Sequence, residues 1–159
     1  MNFRIGFGYD VHAFAPDRPL WIGGICVEHS AGLLGHSDAD VLIHALCDAL
    51  LGAANFRDMG YHFPDSSQEL KNIDSKILLA KTMELLHGEG YRFVNADCTV
   101  CAEQPKINPY IPAMQQTLAG VMQANSSQIS IKATTTEHLG FTGREEGMAA
   151  YAVVLIEKM

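Results

Sequence analysis

Apolar and polar positions change their period several times along the chain, and each change marks an element. Alternating or short apolar runs bounded by turn residues predict strands over 2–9, 20–28, 91–101, 128–134 and 149–157. The second run is broken by the Gly23-Gly24 pair. Helical spacing predicts three further elements. The first runs from about Ser37 to Ala54, with Ser37 as N-cap and Asp40 at the third position of a capping box. A second runs from about Asp74 to His87 and is stopped by Gly88 and Gly90. A third runs from Pro109 or Pro112 to Gln123 and ends near Asn125, since proline is tolerated in a first turn. With no repeat, low-complexity tract or linker, the pattern predicts one domain over 1–159. Strands alternating with helices predict an α/β (α+β) fold, a mixed sheet layered with helices.

Composition narrows the function. Hydrophobic residues make up 48% of the 159-residue chain and charged residues 18%, a lean surface that fits burial against further subunits. Eleven Lys+Arg stand against 18 Asp+Glu, for a net charge of −7. Without a basic cluster, nucleic-acid binding is excluded as a first reading. An anionic ligand would have to be attracted locally, and bound cations would do that. The start "MNFRIGFGYD" has no basic segment followed by a long apolar run. The longest apolar stretch, near 41–54, holds His44 and Asp48 and reads as a buried helix rather than a membrane span. A cytoplasmic location is expected. "CTVC" at 98–101 looks like a metal or redox pair, but a spacing of three on a strand sends the two sulfurs to opposite faces. Cys98, Cys101, Cys26 and Cys47 are read as ordinary thiols, suited to a reducing compartment.

Four segments can carry chemistry. In "GYDVHAF", Asp10 and His12 project from one face of a strand. In "HSDADVLIHALCDAL", Asp40, His44 and Asp48 share one helix face. Taken alone His44 reads as a satisfied core histidine; taken with Asp10 and His12 it completes a zinc-type set that leaves a fourth position open. Asp40 or Asp48 is then expected to hold the other ring nitrogen of His44. "ADCTVCAEQPKINPYIP" places Lys106 in a turn before a proline-started helix, either an anion site or a solvated turn. "KATTTEHLGFTGREEG" offers hydroxyls and amides for phosphate oxygens and Glu137 for a hard cation. "FRDMGYHFPDSS" carries Asp58 and Asp65, able to grip polyol hydroxyls or merely to cap turns. No serine elbow or credible cysteine nucleophile is present.

Taken in order, "DVHAF", "HSDAD" with a following histidine, "FPD", "PK" and "KATTTEHLGFTGR" resemble, nearly end to end, the 2-C-methyl-D-erythritol 2,4-cyclodiphosphate synthases of the non-mevalonate isoprenoid pathway. That resemblance implies a homotrimer with active sites between subunits. It implies one zinc per chain on Asp10, His12 and His44, and Mg2+ or Mn2+ at Glu137. His36 and Ser37 would lie on a loop over the substrate. Asp58, Gly60, Phe63 and Asp65, with Ser66 and Ser67 beside them, would contact the methylerythritol part. From the adjacent subunit, Ala102, Pro105, Lys106 and Ile107, with Ala133, Thr134, Thr135 and Thr136, would form the cytidine pocket. Phe141 and Arg144 complete the implied contacts, and Arg144 faces an isoprenoid-diphosphate cavity in some relatives. His36 and Thr135 would stabilise the transition state. The implied reaction closes 4-diphosphocytidyl-2-C-methyl-D-erythritol 2-phosphate on itself with release of CMP, in which the anionic 2-phosphate needs no general base. The chain departs from the family's pattern at His138, where lysine is expected, at Ser67, where an acid is common, and at Glu145, where glycine is frequent. Two rival readings are a zinc-dependent phosphohydrolase and a non-catalytic trimeric nucleotide or isoprenoid-diphosphate binding protein.

Overall fold

A computed structural model describes residues 2–159. Strands are β1 (Phe3–Ala15), β2 (Leu20–Ile22), β3 (Ile25–Val27) and β4 (Gly32–Leu33), then β5 (Tyr91–Cys101), β6 (Ile129–Thr134) and β7 (Gly147–Lys158). Helices are α1 (Val41–Ala54), α2 (Met59–His62), α3 (Ser75–Gly88), α4 (Ile111–Met122) and α5 (Gly140–Gly143). The main sheet has the order β4-β1-β7-β5-β6; only the β5–β6 pair is parallel. The small β2–β3 ribbon stands apart, turned by Gly23 and Gly24 at φ 60° and 77°.

α1 is apolar on nearly every side, with eleven of its residues buried, and forms the centre of the core beneath β1 and β7. Its seat on β1 is unusually close. A Cβ on Gly6 would lie 1.8 Å from the Ala49 carbonyl oxygen, and one on Gly8 would lie 1.9 Å from that of Ala45. Two alternate glycines therefore meet a helix face of small residues, Ala45, Ala49 and Ala53. The same strand face continues into Asp10 and His12, so this approach is what brings His44 to them. The opposite face of β1 carries Phe3, Ile5, Phe7, Tyr9 and Val11, all exposed, Ile5 at 73%. Tyr151 and Val153 of β7 extend that open apolar face.

The mixed sheet with layered helices is as expected from sequence, and several boundaries move. β1 runs on to Ala15 because β7 pairs with it as far as Ala13 and β4 pairs with Phe14 and Ala15. α1 begins at Val41, capped by the Asp40 carboxylate accepting from Ile43 N–H, so Ser37 is not its N-cap. α3 starts after its cap Asp74, and α4 follows a single tight turn over Asn108–Tyr110. The short elements α2, α5 and β4 carry too few periodic positions to be read from pattern. Register pairs Cys98 with Ala152 on the core face and Cys101 with Ala149 on the open face, so the two thiols point apart as spacing requires. Among the described residues no helix is long and apolar enough to cross a membrane.

Candidate active site

A cleft of about 410 Å³ opens where β1 meets the N-terminal part of α1. Asp10, His12, His36, Ser37, His44, Asp58, Gly60, Phe63 and Asp65 all line it. At its base, Asp10 Oδ2 lies 2.9 Å from His12 Nε2 and 3.1 Å from His44 Nδ1, and the two imidazole nitrogens are 3.1 Å apart. These are the three residues among those described whose ligand atoms converge as a metal site requires. Each ring's far nitrogen is held elsewhere. His12 Nδ1–H donates to the Leu34 carbonyl at 2.7 Å, which leaves Nε2 bare toward the centre. His44 Nε2 meets Ser75 Oγ at 2.9 Å and Ser37 Oγ at 3.1 Å.

Two imidazole nitrogens and a carboxylate oxygen converge within about 3 Å of one another, and a cation would satisfy all three once it displaces any proton the ring nitrogens carry there. The donor set of two nitrogens and one oxygen fits zinc, with room in the cleft for a further ligand. The electrostatics agree. Burial pushes the Asp10 carboxyl up, but hydrogen bonds and charge from His12 and His44 outweigh it and bring it down to about 2. Burial also opposes charge on His12, yet the hydrogen bond and charge of Asp10 hold its pKa above the ordinary value. This corner is built to keep a carboxylate ionised beside positive charge.

The expectation that Asp40 or Asp48 orients His44 is overturned. Asp40 is fully buried and receives the N–H groups of Gly23, Gly24 and Ile43 at 2.9, 2.7 and 3.0 Å, which ties the β2–β3 ribbon to α1. Burial pushes its carboxyl up against those donors. Asp48 accepts from Met59 N–H at 3.0 Å and fixes the Asp58–Gly60 segment over α1. The residue at His44 is Ser75, from the first turn of α3. Nothing in the sequence places position 75 beside position 44, because the contact crosses 31 residues and depends on how α3 packs.

The loop over the cleft is pinned to its far wall. His36 Nε2–H donates to the Ser67 carbonyl at 2.8 Å, and Asn72 N–H donates to the His36 carbonyl at 2.7 Å. Ser67 contributes its backbone here, while its side chain lines a separate groove beside α3. Ser66 does not line the cleft either.

The remaining residues implied by the resemblance gather elsewhere, at the ends of β5 and β6. Ala102 and Ile107 are buried, and Lys106 Nζ donates to the Glu103 carbonyl at 3.2 Å. Ala133, Thr134, Thr135, Thr136 and Glu137 run off β6 into a turn in which Glu137 and His138 stand at φ 53° and 61°. Two successive side-chain residues in the left-handed region are costly and persist only where surroundings hold them. Glu103, which pattern did not single out, holds them: its Oε1 accepts from Thr136 N–H at 3.1 Å and His138 N–H at 3.2 Å. Thr135 Oγ1 lies 3.3 Å from Glu137 Oε1. Phe141 is half-buried in α5, and Arg144 pairs with Glu146 at 2.8 Å in the open. Glu145 sits at φ 57°, the backbone reason why glycine suits that position. None of this second group lines the cleft of its own chain.

The comparisons agree with the geometry. A family model described as the YgbB family matches residues 3–157. The chain is 69% identical to a curated 2-C-methyl-D-erythritol 2,4-cyclodiphosphate synthase of Parabacteroides distasonis, over 100% of this chain and 99% of that one. It is 66% identical to the synthase of the same name from Bacteroides thetaiotaomicron, over 99% of both chains. Among solved structures, the bifunctional IspDF from Campylobacter jejuni superposes with a TM-score of 0.95 at 40% identity, covering 99% of this chain and 42% of that one. IspF of Plasmodium falciparum in complex with CDP gives a TM-score of 0.87 at 31% identity, covering 99% of this chain and 97% of that one.

Proposed function

The chain belongs to the YgbB family of 2-C-methyl-D-erythritol 2,4-cyclodiphosphate synthases, and from that premise we propose how its residues divide the work of cyclisation. It is a phosphorus–oxygen lyase of the non-mevalonate isoprenoid pathway. An oxygen of the substrate's 2-phosphate forms a bond to the β-phosphorus. The bond from that phosphorus to the oxygen bridging to the α-phosphorus breaks, and CMP leaves with the electron pair. No proton need be removed, because a phosphate monoester with a second pKa near ~6 is already largely ionised at neutral pH. The obstacle is the approach of one anion to another, so catalysis rests on charge neutralisation and alignment.

Asp10, His12 and His44 would hold zinc, and Glu137 would hold Mg2+ or Mn2+ on the diphosphate. Such cations supply positive charge where the two phosphates meet. His36 and Ser37 close over the reacting groups, while Asp58, Gly60, Phe63 and Asp65, with Ser66 and Ser67 behind them, orient the methylerythritol hydroxyls. Ala102, Pro105, Lys106, Ile107, Ala133, Thr134 and Thr136 of a neighbouring subunit hold the cytidine end. Thr135 would donate to an oxygen on the β-phosphorus under attack, and Phe141 and Arg144 would lie at the margin of that surface. A homotrimer follows from this division. Its support is the open apolar face of β1 and β7, together with the failure of the Thr134–Glu137 turn to reach its own chain's cleft. The free cysteines suit a cytoplasmic location.

The observation that carries the zinc assignment is the convergence of two imidazole nitrogens and a carboxylate oxygen. The test of the reaction is turnover in heavy-oxygen water, read by phosphorus NMR and mass spectrometry. Unlabelled cyclodiphosphate and unlabelled CMP are expected. Solvent oxygen in the product, or brisk nucleotide release from a substrate lacking the 2-phosphate, would make the protein a hydrolase instead.

A further inference from the structure

The hydroxyl of Ser75 stands between His44 and Asp38. Ser75 is fully buried at the first turn of α3. Its Oγ–H donates to Asp38 Oδ1, and its backbone N–H donates to Asp38 Oδ2 at 2.9 Å. Asp38 Oδ1 also accepts from Asp40 N–H at 3.2 Å, so this carboxylate faces donors only. A hydroxyl has one proton. With that proton committed to Asp38, Ser75 Oγ meets His44 Nε2 at 2.9 Å as an acceptor, and the proton in that contact belongs to the imidazole. Ser37 Oγ, which accepts from Ala39 N–H and can also accept from the ring, lies farther from His44 Nε2 at 3.1 Å. His44 is thereby held as the tautomer whose Nδ1 is bare, and Nδ1 is the atom 3.1 Å from both Asp10 Oδ2 and His12 Nε2.

We infer that Asp38 and Ser75 are positioning residues that fix the His44 tautomer and so make the metal site ready before a metal arrives. This rests on the metal reading given above. The His12 ring obtains the same result more simply, from the Leu34 carbonyl, which can only accept. The two histidines thus use different devices, and only the one at His44 can be inverted by an isosteric change. In Asp38→Asn the amide oxygen can still accept from Ser75 N–H while its NH₂ faces the Ser75 hydroxyl. The hydroxyl then turns its proton toward His44 Nε2, and the ring carries its own proton on Nδ1, where the ligand lone pair is needed.

The test uses the full chain, stripped of metal, with ¹⁵N-labelled histidine at about pH 9, above the imidazole range. In the wild type the His44 ring should show a protonated Nε2 and a bare Nδ1. Asp38→Asn should move the population toward Nδ1–H, and Ser75→Ala should leave the two tautomers mixed. Zinc affinity, measured by competition with a chromophoric chelator, should fall by about 10–100-fold in both variants, the range for outer ligand-orienting partners. Should Asp38→Asn fail to fold, Ser75→Ala decides, because it keeps the backbone contact that Asp38 makes with α3. Wild-type ring spectra and zinc affinity in the folded variants would overturn the relay and leave the metal site standing. A wild type that binds no zinc would overturn the metal site, and the relay's purpose with it.

Discussion

The two regions that the proposed mechanism uses are built on opposite plans. The Asp10/His12/His44 corner is closed by its own chain: each ligand atom has its ring or carboxylate fixed by groups within one subunit, and all three converge. The Thr134–His138 turn is in large part exposed, holds two left-handed residues in succession, and lines no part of that cleft. One region is finished on folding, and the other would be completed by a partner in the trimer proposed above. That teaches where each should be vulnerable. The first should break with changes in packing inside the subunit, and the second with changes at the turn or in assembly.

The largest effect expected is all-or-none complementation between the two. His44→Ala should lose tight zinc binding and more activity than the roughly 10–100-fold that an outer-sphere change costs. Thr135→Ala should lose activity while keeping its zinc. Mixing the two, after dissociation and reassembly, should give trimers in which about a quarter of the clefts have both halves intact, and activity should return in that proportion. If the mixture stays as inactive as its parents, the two regions act within one subunit and the contrast collapses.

Next in size is a packing change confined to the first region. In Gly8→Ala the new methyl would sit 1.9 Å from the Ala45 carbonyl oxygen, so α1 must retreat from β1. Overpacking of this kind costs about 1–3 kcal/mol or more, and here it also displaces His44 from Asp10 and His12. A lowered thermal midpoint together with weakened zinc binding is expected. A variant as stable as wild type, with unchanged zinc, would mean that the close seat of α1 does not set the ligand geometry.

How much of this was legible beforehand follows the same division. Asp10, His12 and His44 could be read because strand and helix periods put each on a known face, and zinc chemistry restricts which residue types converge. The close seat of α1 left a trace as well, in the alternate glycines 6 and 8 facing alanines spaced by four, although pattern alone does not say which helix meets which strand. Ser75 and Glu103 left none. Each acts through contacts made by packing across 31 to 35 residues, and polar residues near turns are too common to signal that. The true end of β1 at Ala15 was hidden because pairing with β7 and then β4, not local propensity, extends it. The Thr run at 134–136 taken alone reads as strand propensity, and only together with Glu137 and the glycine-spaced "LGFTGR" does it suggest phosphate and cation binding.

A smaller effect isolates the second region. Glu103→Ala leaves the Thr136 and His138 N–H groups without their acceptor, an unpaired-donor cost of about 1–3 kcal/mol. If about 1.4 kcal/mol of that reaches the transition state through misplaced Thr135 and Glu137, kcat should fall about tenfold. Glu103→Gln retains an oxygen that can accept both bonds and should stay within a few-fold of wild type. Zinc affinity should be unchanged in both. A loss of zinc in Glu103→Ala would mean the regions are coupled inside one subunit.

The smallest effect expected is in thiol reactivity, and it reads the same contrast without touching catalysis. Burial pushes the Cys47 and Cys98 thiols up to about 12. At pH 8 only about one in 10⁴ of such thiols is the reactive thiolate, and both lie in the core of a single subunit. They should resist alkylation whether or not the protein is assembled. Cys26 is exposed and should label first. Cys101 is raised by burial too and is already buried in the lone chain, although register puts it on the open sheet face, in line with Ala149 and Val11. Phe7→Glu places a charge on that face, where Phe7 is 62% exposed in the lone chain, and should dissociate the trimer by light scattering. In the dissociated protein Cys101, Cys47 and Cys98 should all stay slow until unfolding, with Cys26 alone labelling readily. A Phe7→Glu protein that scatters light as the wild type does would show that the apolar face of β1 and β7 is not what neighbouring subunits cover.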